Sequence, residues 1–260
     1  MSSANSKLNS GYTLFHAKSC CSTLILVQLR VLEIPHEVVT LSLRETLNRV
    51  DSPGLKRLLA ANPMAQFPTL VTPEGTIVTE TAAIILYLND RHGSNTPWGT
   101  SSLSPIQLAS FYRWLVFLPA NVFTTVNLVE HPGRFVIVPE DSPVQLDVVQ
   151  SWVWEAGNKK RGDVWRVLEE RLGKAMPREE GKPFLLGTEH PTMLDVYMTL
   201  LAHWTNRPRY SWMEENCPTL FAICKKTMAA SDIVRQTFEE NECDAFMGKA
   251  SHAKLLDRIP

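Results

Sequence analysis

Residues 62–93 read NPMAQFPTLVTPEGTIVTETAAIILYLNDRHG, and this stretch decides the fold of the first part of the chain. β-Branched and apolar residues predict two short strands at 67–72 and 76–78, and the Pro-Glu-Gly sequence at 73–75 predicts the turn of a hairpin between them. Over residues 80–92, apolar side chains recur at helical spacing. The stretch therefore predicts the order β-β-α.

The residues before this stretch predict a β-α-β unit. YTLFH at 12–16 is strand-like, residues 21–33 have the long apolar pattern of a buried helix, and the β-branched HEVVTL at 36–41 is again strand-like. About thirty residues is the length that a right-handed crossover needs. A weaker helical pattern at 43–60, broken by Ser52-Pro53-Gly54, completes the order β-α-β-α-β-β-α.

Strand signals nearly disappear after residue 93. Residues 93–104 are rich in turn formers and predict a linker, and the patterns beyond them are helical. We therefore expect an α/β domain at 11–92 and an all-helical domain, a helical bundle, at 105–247. Residues 1–10 are predicted to be disordered and 248–260 to be a loose tail. The predicted helices of the second domain lie at 105–130, 143–176, 193–206, 218–230 and 232–240.

Composition excludes several classes of protein. The 260-residue chain is 44% hydrophobic and 20% charged with a formal net charge of −1, which is typical of a soluble globular protein. No basic stripe indicates a nucleic acid partner, and no polybasic cluster or apolar run of ~20 residues indicates a membrane. Residues 1–10 lack the apolar core of a signal peptide, and five cysteines, an odd number, are typical of a reducing compartment. We expect a cytoplasmic protein.

The sequence KSCCST at 18–23 places two adjacent cysteines at a strand-to-helix junction. Adjacent cysteines do not form a CxxC redox motif, and no His or Cys follows at the spacing of metal ligands, so we predict no metal site. A helix N-terminus stabilises a thiolate, whether it belongs to the protein or to a bound molecule. The structural alternative is that Cys21 and Thr23 only pack and cap the helix, and the spacing alone leaves both interpretations open.

Two further short motifs each have a structural and a functional interpretation. In QFPTL at 66–70, Pro68 either opens a strand in the trans form, which local sequence favours, or is cis and turns the Phe67 backbone towards a peptide-like ligand. Glu80-Thr81 either caps a helix, which local sequence also favours, or binds a ligand carboxylate and ammonium at the helix start.

In the second domain the clearest motif is structural. Thr192-Met193-Leu194-Asp195 has the form of a capping box at the start of the buried helix VYMTLLAHW. The tryptophans are mostly expected in the core. Arg113-Trp114 has a second interpretation, because apolar substrates commonly bind in a cleft between domains.

Together these motifs resemble the cytosolic glutathione S-transferase superfamily over about residues 12–240. NPMAQFPTL resembles the family's Asn-Pro-x-x-Gln-Val-Pro-x-Leu, whose proline is cis, and ETAAIILYL resembles Glu/Asp-Ser-x-x-Ile-x-x-Tyr-Leu. TMLDVYMTLLAHW resembles the Ser/Thr-x-x-Asp box of the central C-terminal helix. The resemblance implies a thioredoxin-like N-terminal domain followed by the helical domain, and it is beta- or zeta-like, of bacterial or fungal type.

The resemblance also implies a glutathione-binding site. Gln66, the backbone of Phe67 beside cis-Pro68, and Glu80 with Thr81 would hold the glutathione backbone. Thr81 stands where the family usually has Ser; it keeps the hydroxyl and adds a methyl group.

The catalytic residue depends on the alignment. In the beta-class alignment Cys21 takes the place of the active-site Cys, with Ser22 beside it. His16 stands where Tyr is frequent, and the resemblance implies that it is one of the glutathione-binding residues. In the zeta-like alignment Ser19 takes the place of the activating hydroxyl, although Leu24 to Val27 lack the Arg usual in that motif. Ser19, Cys21 and Ser22 are therefore the catalytic candidates.

From the resemblance we expect an enzyme that activates the glutathione thiolate for attack on a small, largely apolar electrophile. The electrophile would lie beside Tyr112, Arg113 and Trp114. Glutathione would be the cosubstrate, no metal is expected, and the protein would be a homodimer in detoxification or secondary metabolism. Two alternatives use the same fold: a glutathione-dependent isomerase, lyase or thioltransferase, and a non-catalytic binding or assembly module.

Overall fold

The computed structural model describes residues 11–175, 181–205, 212–243 and 246, and they form two compact units. The first unit contains the described residues up to Ser102 together with Ser231–Cys243. The second unit contains the described residues of Leu103–Ala230 together with Phe246. The first unit holds the sheet, and the second is helical where it is described.

The first unit has the predicted thioredoxin-like order, which confirms the fold class. The helical stretch predicted at 43–60 is two helices. The first ends at Leu47, and the second begins after Ser52, whose hydroxyl accepts a hydrogen bond from the Leu55 N–H, with Pro53 in the first turn. The elements are β1 (Tyr12–His16), α1 (Ser22–Val31), β2 (His36–Thr40), α2 (Leu43–Leu47), α3 (Pro53–Ala61), β3 (Thr69–Val71), β4 (Ile77–Thr79) and α4 (Thr81–His92).

The four strands form one mixed sheet in the order β2-β1-β3-β4. β1 and β2 are parallel, whereas β3 is antiparallel to both β1 and β4. Phe15 pairs with Thr69, and Thr69 pairs with Thr79. Since Leu14, Leu70 and other strand residues are completely buried, the register is specified by the core face of the sheet.

The second unit contains six described α-helices. The helix predicted at 105–130 is one path in which a π-helical segment, Leu118–Phe123, joins α5 to α6; Pro119 lies in that segment, where a missing N–H is accommodated. A second π-helical segment, Glu169–Gly173, follows α7. The helices are α5 (Pro105–Phe117), α6 (Thr124–Glu130), α7 (Leu146–Leu168), α8 (Met193–Thr205), α9 (Trp212–Asn216) and α10 (Pro218–Ala230).

The last described helix, α11 (Asp232–Glu240), groups with the first unit. The sequence pattern predicts this helix as part of the helical domain at 105–247, so the structure differs here. Val234 and Phe238 are completely buried, and α11 packs against α1 of the sheet unit. Sequence order gives no sign of this contact, because the two helices are separated by about two hundred residues.

The capping box predicted at the start of α8 is present. Asp195 is completely buried, and its carboxylate accepts hydrogen bonds from the Leu185 N–H (2.8 Å), the Thr192 N–H (2.8 Å) and the Thr192 hydroxyl (2.8 Å). Burial raises the pKa of Asp195, while these donors favour the ionised form. This carboxylate therefore connects the start of α8 to the loop before it.

We expect Asp195→Asn to lower the free energy of unfolding by about 1–3 kcal/mol, because the amide would turn a donor towards a buried N–H that needs an acceptor. Urea denaturation of the purified variant measures this. The matched control is Asp147→Asn in the first turn of α7, where the side chain is exposed and the loss should stay below about 1 kcal/mol. Equal losses in both variants would contradict the structural role of Asp195.

Candidate functional site

One edge of the sheet brings the ends of three strands together. The pairing of Phe15, Thr69 and Thr79 places the next residues, His16, Pro68 and Glu80, side by side at that edge. Because neighbouring strands lie about 4.8 Å apart, the three backbone positions fall within about 10 Å of each other. α1 and α4 also begin at this edge, after β1 and after β4. The edge therefore gathers most of the sequence-predicted site residues.

At this edge, the peptide bond between Phe67 and Pro68, directly before β3, is cis. This is the isomer that the family resemblance implies and the opposite of what local sequence favours. Pro68 is buried, Phe67 is half-buried and Gln66 is exposed. Since β3 begins at Thr69, the N–H and C=O of Phe67 precede the ladder and are not used by the sheet.

Glu80 occupies the N-cap position of α4 in an unusual conformation. Its φ is 69°, in the left-handed region that a non-glycine residue seldom adopts, and its side chain is exposed and makes no capping hydrogen bond. The capping interpretation that local sequence favours is therefore wrong for Glu80. Strained residues of this kind cluster at ligand sites. Thr81, which follows, is buried at the first helical position.

Residues 17–21 form the loop between β1 and α1, called the thiol loop below. Ser19 lies at its centre with φ 51°, is half-buried, and its hydroxyl forms no hydrogen bond with another residue in the described ranges. Cys20 is half-buried, whereas Cys21 is buried at the N-cap of α1. Ser19 and Cys20 are therefore less buried as residues than Cys21.

Cys20 was not among the catalytic candidates named from the sequence, although KSCCST contains it. Burial raises the pKa of its thiol, while the N–H groups of Cys21 and Ser22 and the Ser22 hydroxyl oppose that shift. Its sulfur therefore faces the first turn of α1. All five cysteines are thiols without a disulfide, and burial raises the pKa of Cys217 and Cys224 to about 12, far from reactivity at neutral pH.

His16 and Ser22 are joined in a buried hydrogen-bond network. His16 Nε2 lies 2.6 Å from Asn241 Oδ1, and His16 Nδ1 lies 2.8 Å from Ser22 Oγ. An amide oxygen only accepts, so Nε2 carries the proton, and in the neutral ring Nδ1 accepts from the Ser22 hydroxyl. The Ala17 N–H donates to the same hydroxyl oxygen at 3.1 Å. Burial lowers the pKa of His16, which favours this neutral form.

The side chains of His16 and Ser22 both lie in the interior of the first unit. Ser22 is completely buried and His16 is 3% exposed. Their hydrogen bonds favour a role in holding the thiol loop on the end of β1. Their predicted roles in ligand binding and catalysis stay predictions.

The predicted substrate residues belong to the second unit, on α5. Tyr112 and Arg113 are exposed, whereas Trp114 is 3% exposed and lies in the core of that unit. The guanidinium of Arg113 lies 4.5 Å from the centre of the Trp114 ring. The buried Trp114 ring therefore forms a cation–π contact with the exposed Arg113 side chain.

The described residues contain neither a cluster of metal-binding side chains nor a helix suited to a membrane. Within those ranges, no group of three or more His, Cys, Asp and Glu side chains is arranged to hold a metal ion. None of the helices described has both the length and the apolar character needed to cross a membrane.

Comparison with known proteins agrees with this architecture. Residues 19–91 match the family model described as glutathione S-transferase, N-terminal domain. The chain is 29% identical over 206 residues to the uncharacterized GST-like protein YncG of Escherichia coli (strain K12), covering 78% of this chain and 85% of the relative.

Solved structures show the same fold. A glutathione transferase homolog from sulfitobacter, with bound glutathione, is 15% identical with a TM-score of 0.69, covering 88% of this chain and 98% of that one. The transferase URE2P6 from Phanerochaete chrysosporium, in complex with oxidized glutathione, is 19% identical with a TM-score of 0.68, covering 90% and 97%. Together these findings show a match to a glutathione S-transferase N-terminal domain over residues 19–91 and the fold of solved glutathione transferases over most of the chain.

The buried neutral His16 predicts a pH dependence of stability. Its pKa in the folded chain lies below the ordinary value of 6.5, so the unfolded chain binds a proton at His16 before the folded chain does. The free energy of unfolding is therefore expected to fall as the pH drops through about 6.5 and to stop falling below the lowered folded-state pKa. Urea denaturation at about pH 7.5 and about pH 5.5 measures this loss.

The variant His16→Gln tests the assignment, because Gln keeps a donor towards Asn241 but does not titrate. Its loss of stability between the two pH values should be smaller than that of the wild type. The control is His190→Gln at an exposed histidine, which should keep the wild-type loss. A wild-type loss in His16→Gln would show that His16 is not buried in its neutral form.

Proposed function

We propose that this protein is a glutathione S-transferase that binds reduced glutathione at the sheet edge and activates its thiol for attack on a small, largely apolar electrophile. The observation that carries the proposal is the strand register, which sets cis-Pro68 between the end of β1 and Glu80. The match to a glutathione S-transferase N-terminal domain over 19–91 covers this edge, and the sulfitobacter and Phanerochaete chrysosporium neighbours have glutathione or oxidized glutathione bound. A homodimer stays a prediction.

The Phe67 backbone supplies a peptide-recognition element. Its N–H and C=O precede β3 and are not used by the ladder, so they can pair with the backbone of a peptide-like ligand in the manner of an added strand. Gln66, which is exposed beside them, adds amide groups for the polar parts of the ligand. Glutathione is a tripeptide and fits this mode of recognition.

The start of α4 supplies the charge recognition. The first N–H groups of a helix have no partner within the helix and carry a partial positive charge, so the α4 start and the Thr81 hydroxyl suit the γ-glutamyl carboxylate of glutathione. The exposed Glu80 carboxylate suits the neighbouring ammonium. The strained backbone of Glu80 would place its side chain outside the helix rather than over its first turn.

The thiol loop would supply the activation. The pKa of a free thiol is about 8.5. It must fall by about two, which corresponds to ~2.7 kcal/mol, before the thiol is mostly ionised at neutral pH. One hydrogen bond to the thiolate contributes about 1.5–3 kcal/mol, and the α1 start adds a smaller stabilisation. Among the predicted donors, the Ser22 hydroxyl is already used in the buried network, which favours Ser19 over Ser22.

One observation favours a second activity at the same site. The residue Cys20 is half-buried, and its thiol could exchange with a glutathione mixed disulfide. Its thiolate would attack the glutathione sulfur, and the substrate thiolate would leave and take a proton. A second glutathione thiolate would then regenerate Cys20 and release oxidized glutathione. This thioltransferase activity uses the same glutathione site. The raised pKa of Cys20 makes it the weaker candidate, because less thiolate is present.

The glutathione site is tested by Glu80→Gln, which removes the carboxylate and keeps the shape of the side chain. We expect glutathione binding about five- to tenfold weaker than in the wild type, measured by calorimetry, because a charge-assisted contact to the ammonium is lost. The matched control is Glu33→Gln, since Glu33 is also exposed and also has a positive φ, 54°, but follows the other end of α1. Unchanged affinity in Glu80→Gln would remove Glu80 from the site.

The thiol donor is tested by comparing Ser19→Ala, Cys20→Ser and Cys21→Ser. We expect Ser19→Ala to lower the rate of conjugation with chlorodinitrobenzene by about 10²-fold, because a donor to the developing charge is removed. Cys20→Ser should keep conjugation and lose reduction of a glutathione mixed disulfide. A large loss of conjugation only in Cys21→Ser would instead assign the donor to Cys21, and no loss in any variant would refute the thiol loop as the catalytic element.

A further inference from the structure

The segment Ser231–Cys243 is far from the sheet in sequence and forms part of the first unit's interior. α11 begins after Ser231, whose hydroxyl accepts a hydrogen bond from the Val234 N–H. Val234 and Phe238 are completely buried, and α11 packs on α1, the helix that starts at the thiol loop. The segment is therefore integrated into the unit that carries the proposed glutathione site.

The exposed ion pairs between the α11 segment and the first unit contribute little to the stability of their contact. Arg30 of α1 donates to the Thr237 hydroxyl at 2.9 Å and pairs with Glu240 at 2.7 Å, and Lys18 lies 3.7 Å from Glu242. The side chains of Lys18 and Glu242 are more than half exposed, so water and salt screen their attraction. The connection that matters to the thiol loop is a buried one.

That connection is Asn241, the residue after α11, which is 3% exposed and has all of its polar groups bonded. Its side-chain NH₂ donates to the Thr237 carbonyl at 2.7 Å, and its N–H donates to the Phe238 carbonyl at 3.2 Å. These two bonds fix Asn241 on the end of α11. Its remaining two acceptors point to the thiol loop: the backbone carbonyl accepts from the Ser19 N–H at 3.0 Å, and Oδ1 accepts from His16 Nε2–H at 2.6 Å.

Asn241 thus contacts Ser19 within the thiol loop and His16, the last residue of β1, just before it. The bond to Ser19 holds a residue whose φ of 51° is unfavourable for a serine, and such a conformation persists only where its surroundings fix it. The bond to His16 orients the ring so that Nδ1 receives the Ser22 hydroxyl at the start of α1. One residue is therefore bonded both to Ser19 and to the histidine that contacts the first turn of α1.

We propose that Asn241 is a positioning residue of the glutathione site: through its bonds to His16 and Ser19 it holds the thiol loop in the geometry that stabilises the bound thiolate. The inference rests on the proposed function, because a thiolate in the loop is part of it. Asn241 itself is buried behind the loop and need not touch the ligand. The ligand class is the thiolate of a tripeptide thiol, with glutathione as the probe.

The test measures glutathione affinity by calorimetry and the pKa of the bound thiol from the pH dependence of thiolate absorbance. The variant Asn241→Leu has a similar volume, keeps the backbone carbonyl and removes the acceptor for His16. We expect its affinity for glutathione to fall about tenfold and the pKa of the bound thiol to rise by about one. A role confined to stability would lower the unfolding midpoint and leave the thiol pKa of the folded fraction unchanged.

The matched control is Asn216→Leu at the end of α9 in the second unit. Asn216 also donates from its side chain to the carbonyl four residues earlier, that of Trp212, at 3.0 Å. This variant should keep the wild-type affinity and thiol pKa. Wild-type values in a folded Asn241→Leu protein would overturn the inference and leave the proposed function intact, whereas absence of glutathione binding in the wild type would overturn both.

A second variant covers the case in which Asn241→Leu does not fold. Asn241→Asp keeps an acceptor for His16 Nε2–H, and it replaces the donor to the Thr237 carbonyl with a carboxylate oxygen. It should bind glutathione within about threefold of the wild type, and its His16 should keep the Nε2–H form, or become protonated, in nitrogen NMR spectra. Binding weakened about tenfold in folded Asn241→Asp would contradict the role of this acceptor.

Discussion

The antiparallel pairing of β3 with β1 on one side and β4 on the other is the constraint on which the site depends. Because the side-chain period of a strand is two, a slip of one residue in β3 would turn the completely buried Leu70 to the opposite face of the sheet, so the core enforces the register. The register in turn sets the ends of three strands at one edge. α1 and α4 start from that edge. The first N–H groups of these helices and the N–H of Phe67 before β3 therefore lie at the same edge of the sheet.

Conformational strain is distributed around this edge. Ser19, Ala65 and Glu80 all have positive φ, and each lies next to one of the three converging chain segments. Such conformations are unfavourable for residues with a Cβ, so the fold must supply contacts that hold them. For Ser19 the contact is a hydrogen bond from a distant segment, and for Ala65 it is the bond of its N–H to the Asn62 carbonyl. The edge is thus shaped by local strain that the rest of the unit stabilises.

Sequence patterns predict the elements better than the contacts between distant elements. The strand and helix order, the hairpin, the break at Ser52-Pro53 and the cap at Asp195 follow from local chemistry, which acts over a few residues and is visible in the sequence. The cis isomer of Pro68 needed the family resemblance, since local preference favours trans. The inward roles of Ser22 and His16 could not be read from spacing, because burial depends on what packs over them.

The contacts of Asn241 could not be predicted from local sequence patterns. Nothing in the polar sequence around it distinguishes it from a helix-ending residue, and its partners lie more than two hundred positions earlier. In the role proposed for it, Asn241 couples two equilibria, because the docking of α11 and the ordering of the thiol loop share its hydrogen bonds to His16 and Ser19. By linkage, a ligand that binds only the ordered loop must then also stabilise the docked position of α11. This stabilisation free energy increases with the ratio of the ligand concentration to its dissociation constant. The far end of the chain therefore takes part in the thermodynamics of the site without being near it in sequence.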